Sequence, residues 1–133
     1  MVGFDHRGFG DSQGEPGYID SLDQHLEDSK KFVDIITDLY RENGLKLPQY
    51  ALGLSMGGMT VYHLSYRYPD LFNGVILMAP ALKHNLPGIV APLTSFISKI
   101  LPKSTRLLRP FPERSNKNPT VVEYRKNDKK CFS

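Results

Sequence analysis

Gly53-Leu54-Ser55-Met56-Gly57 has the form G-x-S-x-G, whose chemistry depends on the turn that carries it. On a tight turn between a strand and a helix, the serine hydroxyl rises above the sheet edge and can attack an acyl carbonyl. Glycines two before and two after the serine let the neighbouring backbone pass without a clash. The Met56 backbone N–H then lies at a helix N-terminus, pointing where an oxyanion forms. These residue types nominate Ser55 as nucleophile, Met56 as oxyanion donor through its N–H, and Gly53 and Gly57 as elbow glycines. The competing interpretation is a glycine-rich connector with an incidental serine, in which the Met56 side chain only fills core.

Other chemistry is thinly supplied. The four histidines are scattered without ligand spacing, so no metal site is expected. No phosphate-binding glycine pattern with a lysine is present, and Gly8-Phe9-Gly10 follows no dinucleotide fingerprint; no cofactor is expected. The order Ser55, Asp70, His84 occurs, but Asp70 follows Tyr68-Pro69 on the way into the start of a strand. That end of a sheet faces away from the serine, so these three do not form a triad. His63 and His25 read as packing or surface histidines on helices. Asp5 and Arg7 read as holding their loop by polar contacts, and Ser12 as capping or turning it.

A strand and two helices must position the serine. Leu22, Leu26, Ser29, Phe32, Val33, Ile36, Leu39 and Tyr40 recur at spacings of three and four, predicting a helix over 20–43 that stops at Asn43-Gly44. Asp20, Asp23, Glu27 and Asp28 load its first turns, where the helix dipole favours negative charge. A strand is expected over Gln49–Leu54. A helix over 56–68 ends before Pro69, because the residue before proline avoids helical geometry. Val75-Ile76-Leu77-Met78 reads as a buried parallel strand. This alternation predicts an α/β fold with a parallel sheet. Val2–Phe4 looks like the end of a further strand entering a glycine-punctuated loop, and such a strand needs neighbours that no earlier residue supplies.

The pattern breaks after Pro80, with prolines at 87, 92, 102, 110, 112 and 119. Leu93, Phe96, Ile97, Ile100 and Leu101 form one short apolar stripe at helical spacing. Charge changes at the same place. Residues 1–82 hold 6 Lys+Arg against 11 Asp+Glu, net −5, and residues 83–133 hold 11 against 3, net +8. Two regions follow: 1–82 as the α/β part and 83–133 as a basic, proline-rich segment. The whole chain, 133 residues with net charge +3 and 40% hydrophobic content, has the composition of a globular domain. It lacks a transmembrane run and the apolar stretch of a secretory signal. Its single cysteine, Cys131, excludes an internal disulfide. A cytoplasmic location is expected, with peripheral membrane contact as an alternative.

Asp5-His6-Arg7-Gly8-Phe9-Gly10-Asp11-Ser12 has the form D-x-R-G-x-G-x-S. Together with Leu52–Met59, this stretch resembles the α/β-hydrolase family, in particular its monoglyceride lipase and lysophospholipase branch of serine-aminopeptidase-like hydrolases. Phe72–Leu82 is similar to the strand after the elbow, and Ser115–Asp128 to the end of the cap. The resemblance covers nearly the whole chain but only the middle part of the family's domain. It implies an α/β-hydrolase fold present as a partial parallel sheet with flanking helices and the start of a cap over 83–133. It also implies a second oxyanion donor upstream of Asp5 and a triad Asp and His downstream of the cap, all expected to lie outside this chain.

The activity implied is hydrolysis of a lipid carboxylic ester, such as a monoacylglycerol or lysophospholipid, by Ser55. The rival is an inactive remnant or binding module that kept the elbow. The stripe within Leu86–Leu101, flanked by Lys99, Lys103, Arg106 and Arg109, has the character of a lid resting on lipid. An ordinary amphipathic helix packed on the body has the same pattern. The expected partner is a lipid ester substrate, with no nucleic acid; the pattern leaves the oligomeric state open. A sheet with unpaired edges is expected to make the 133-residue chain poorly soluble or partly molten by itself.

Overall fold

The computed structural model describes residues 1–83 and 116–128. The described residues fall into two compact units, one of 20–83 and one of 1–19 with 116–128. The stripe at Leu93–Leu101, His84 and Cys131 lie outside the described residues.

In the 20–83 unit, α1 spans Leu22–Glu42. Ser21 caps its start by accepting from the Gln24 N–H at 3.1 Å. Gly44 ends it with φ +72°, a left-handed conformation that costs a glycine nothing. There the Gly44 N–H donates to Arg41 O and the Leu45 N–H to Tyr40 O, so two of the last orphan carbonyls are satisfied. The apolar stripe buries unevenly. Leu26 and Ser29 are buried, Phe32, Val33, Ile36 and Tyr40 are half-buried, and Leu22 and Leu39 remain exposed.

The strand β1 (Tyr50–Leu54), the helix α2 (Met56–Arg67) and the strand β2 (Gly74–Met78) follow in order. The two strands pair in parallel, with Tyr50 opposite Gly74 and Leu54 opposite Met78. Parallel pairing needs a crossover, and α2 supplies it. The entry to both strands is pinned by the Gln49 N–H donating to Asn73 Oδ1 at 2.8 Å and the Asn73 N–H donating to Gln49 O at 2.7 Å.

Helix α2 packs on both strands and on α1. The core of this unit is small: Leu26, Val61 and Leu64, with His25, Ser29 and Thr60 buried among them. Alternation along the strands puts Tyr50, Leu52, Leu54, Ile76 and Met78 on one face, and all five are exposed. Both strands are thus covered on one side only among the described residues. The buried strand expected at Val75–Met78 is in place, but Val75, Ile76 and Met78 are exposed.

In the other unit, residues 1–6 carry no strand, unlike the expectation for Val2–Phe4. A strand exists only through a partner, and no described strand pairs with these residues. Asp5–Tyr18 is a folded loop instead. The Asp5 carboxylate accepts the Asp11 N–H at 3.0 Å, the Gly8 N–H donates to Gln13 O, and the Gly17 N–H donates to Gly8 O. Gly10 has φ +53°, and a Cβ there would overlap the Asp5 carboxylate. Asp5 therefore holds the loop by polar contacts, as its sequence setting suggests.

A third helix, α3 (Pro119–Asn127), has no counterpart in the sequence-based expectations. Asn118 caps it by accepting the Thr120 N–H, and Pro119 occupies the first turn, where no N–H is needed.

Candidate active site

Ser55 sits between the end of β1 and the start of α2, and it is exposed. Its backbone has φ 52° and ψ −112°, a combination that costs a non-glycine residue about 1–3 kcal/mol. Three backbone hydrogen bonds hold it there, and a side-chain bond braces the next residue. The Ser55 N–H donates to Met78 O at 2.9 Å, which extends the β1–β2 ladder into the turn. The Ser55 carbonyl accepts from the Met59 N–H at 3.1 Å and from the Ala81 N–H at 3.0 Å. The Thr60 hydroxyl donates to Met56 O at 3.0 Å.

The peptide plane between Ser55 and Met56 is fixed by the two bonds to its oxygen. Its N–H, that of Met56, points the opposite way from that oxygen because the peptide is planar and trans. It is one of the first N–H groups of α2, which have no partner within the helix. The Ser55 side chain does not cap the helix. The turn thus presents a hydroxyl on a strained backbone beside a helix N-terminal N–H, an arrangement suited to covalent acyl chemistry.

Glycine is required on the β1 side of this turn. A Cβ on Gly53 would overlap the Gly57 carbonyl and come within 2.6 Å of the Gly58 nitrogen. At Gly57, a Cβ meets nothing within 4 Å among the described residues; what crosses Gly53 is the Gly57 backbone itself. Gly58, which the five-residue pattern leaves out, faces Pro80, and a Cβ there would lie 2.9 Å from Pro80 Cβ. The second signal missed by the pattern is Ala79, a non-glycine residue with φ 42°. It turns the chain after β2 so that the Ala81 N–H reaches the Ser55 carbonyl.

The other candidates lie apart from the turn. Asp70 precedes β2 and therefore sits at the opposite end of the parallel pair from Ser55. His63 lies two turns along α2 and stacks edge-on with Tyr62, with ring centroids 5.5 Å apart. His25 is buried on α1, and its Nε2 lies 2.8 Å from Thr60 Oγ1. Burial lowers its pKa below the ordinary value of 6.5, and the nearby Asp28 offsets that in part. Among the described residues, no group of three His, Cys, Asp or Glu side chains is arranged to hold a metal ion.

A parallel pair joined by a helix, with a strained serine at the first strand's C-terminal end, defines an α/β-hydrolase elbow. The model of the family described as "Serine aminopeptidase, S33" matches residues 1–133, and the chain belongs to that family. It is 33% identical over 103 residues to the monoacylglycerol lipase of Mycolicibacterium smegmatis, covering 77% of this chain and 35% of that protein. It is 30% identical over 97 residues to the monoglyceride lipase of Mus musculus, covering 73% of this chain and 30% of that protein. Among solved structures, the monoacylglycerol lipase of Paleococcus ferrophilus superposes with a TM-score of 0.68 at 27% identity, covering 96% of this chain and 47% of that one. The similarity is to the monoglyceride lipase branch of the α/β hydrolases. The chain spans about a third of the length of the curated relatives it matches.

Proposed function

We propose that Ser55 is the nucleophile of a serine hydrolase that cleaves carboxylic esters of lipids, of the monoacylglycerol or lysophospholipid kind. The observation that carries this is the Ser55 backbone, held at φ 52° at the mouth of α2 by bonds that its carbonyl accepts from Met59 and Ala81 and its N–H donates to Met78. A non-glycine residue is kept in such a conformation when the surrounding structure over-determines it, and such residues cluster at active sites.

In this reaction the Ser55 hydroxyl attacks the acyl carbonyl and loses its proton to a histidine base. The carbonyl oxygen becomes an oxyanion that accepts from the Met56 N–H and from a second donor. The alcohol leaves with a proton from the base, and water then releases the fatty acid from the acyl-serine. The base, its orienting acid and the second donor belong to parts of the family's domain outside these 133 residues. The relatives named as monoacylglycerol and monoglyceride lipases support the choice of substrate class. On sequence pattern alone, the segment Leu86–Leu101, outside the described residues, is the proposed lipid-facing lid of a peripheral cytoplasmic enzyme.

A fluorophosphonate probe on the native protein tests the assignment. Labelling that Ser55→Ala abolishes is expected. Absence of labelling in the wild type would leave a non-catalytic remnant of the fold as the correct account.

A further inference from the structure

Beyond the elbow itself, the buried polar groups of the 20–83 unit form one connected line that leads to it. Thr60 Oγ1 has a single hydrogen, and its oxygen lies 3.0 Å from Met56 O in a geometry for donating to that carbonyl. With that hydrogen on Met56 O, the 2.8 Å contact between Thr60 Oγ1 and His25 Nε2 is made in the tautomer in which the ring nitrogen donates. His25 is 6% exposed and Thr60 4% exposed, so neither group has ready access to water in exchange. On the α1 side, the Ser29 hydroxyl donates to His25 O at 2.8 Å and anchors the turn that carries the imidazole.

Met56 is gripped on both sides. Its N–H shares a peptide plane with the Ser55 carbonyl, which Met59 and Ala81 hold. Its own carbonyl is the acceptor of the Thr60 hydroxyl. Rotation about the Met56 backbone bonds would break one set or the other. A donated hydrogen bond also polarises the hydroxyl that receives it, so His25 strengthens the Thr60 bond to Met56 O.

We propose that His25 is a positioning residue for the hydrolysis at Ser55, acting through Thr60 on the Met56 backbone so that its N–H stays aimed at the developing oxyanion. This rests on Ser55 being the nucleophile. It gives a histidine remote from the reacting atoms a role in the transition state that burial in a helix interface alone does not imply.

The test is fluorophosphonate inactivation of the native full-length protein, with saturation kinetics separating the binding constant from the maximal rate, alongside the melting temperature. Thr60→Val keeps the shape and removes the hydroxyl; Thr60→Ser keeps the hydroxyl. His25→Leu removes the donor, and His25→Gln keeps an N–H. The maximal inactivation rate is expected to fall by about 3- to 10-fold in Thr60→Val and His25→Leu, the leverage of one neutral hydrogen bond at the oxyanion. The binding constant should stay within about twofold, and Thr60→Ser should restore the rate. Folded Thr60→Val protein that inactivates at the wild-type rate would overturn the positioning role and leave Ser55 as nucleophile. So would loss of rate that Thr60→Ser does not restore. A wild type that resists the probe altogether would remove the nucleophile assignment and the positioning role with it.

Discussion

Gly53 and Gly57 look interchangeable in the G-x-S-x-G pattern, but they respond oppositely to a methyl group. An alanine at 53 would drive its Cβ into the Gly57 carbonyl and against the Gly58 nitrogen. These are backbone atoms in the first turn of α2, so they cannot rotate away as a side-chain tip would. Relief requires β1 and α2 to separate, and α2 is the element that covers this sheet face. Overpacking of this kind costs about 1–3 kcal/mol, and a backbone-on-backbone clash belongs at the upper end. An alanine at 57 meets nothing within 4 Å among the described residues, and the position is helical. There the gain from replacing a helical glycine is roughly 0.5–1 kcal/mol. The two variants should therefore differ by about 2–4 kcal/mol in urea unfolding midpoints converted with a common slope. Probe labelling of Ser55 in the same samples reports whether the turn survives. A Gly53→Ala protein as stable as Gly57→Ala, or a Gly57→Ala protein that loses more stability than Gly53→Ala, would refute the steric account.

Burial holds the folded pKa of His25 below the unfolded value of 6.5, so the unfolded chain takes up the proton first on acidification. Its contribution should therefore make stability fall as pH drops below about 6.5, by at most about 1.4 kcal/mol per unit until the folded pKa is reached. Equilibrium unfolding across pH 5–8 should show that slope reduced in His25→Gln. Leu26, 1% exposed, carries much of the α1–α2 interface, and Leu26→Ala should cost about 2–4 kcal/mol in the same assay. Arg67 pairs with Asp23 between the helices, but both side chains are largely solvated. Arg67→Ala should cost under about 1 kcal/mol, with the difference vanishing in high salt. In the isolated 133-residue chain, Leu52→Lys with Ile76→Lys on the bare sheet face should raise the soluble fraction after centrifugation. An unchanged fraction would mean that another surface drives association.

What the sequence discloses here depends on whether the cause is local. Helix α1 was legible because its stripe, its acidic start and the Asn43-Gly44 stop all lie within the helix or next to it. The elbow was legible because five consecutive residues encode it. Helix α3 was missed although Asn118-Pro119 is a serviceable start signal, since its nine residues carry no apolar periodicity. Gly58 against Pro80, and Ala81 on the Ser55 carbonyl, join residues more than 20 apart. Nothing near Gly58 announces which atom it must avoid. Sequence offers His25 as a packing or a surface histidine and burial makes it the former, but its contact with Thr60 spans 35 positions. The exposed face of β2 was misjudged for a related reason: a run of Val, Ile, Leu and Met states that a strand is apolar, not which neighbour covers it.

The Ala81 bond to the Ser55 carbonyl has a consequence for biosynthesis. A ribosome delivers Ser55 well before Ala81, and until β2 has emerged the elbow lacks both the Met78 and the Ala81 contacts that hold its backbone. The contacts that hold its strained geometry come only with the strand that follows, so the turn is completed in the order of translation, and a chain stalled before residue 78 lacks them.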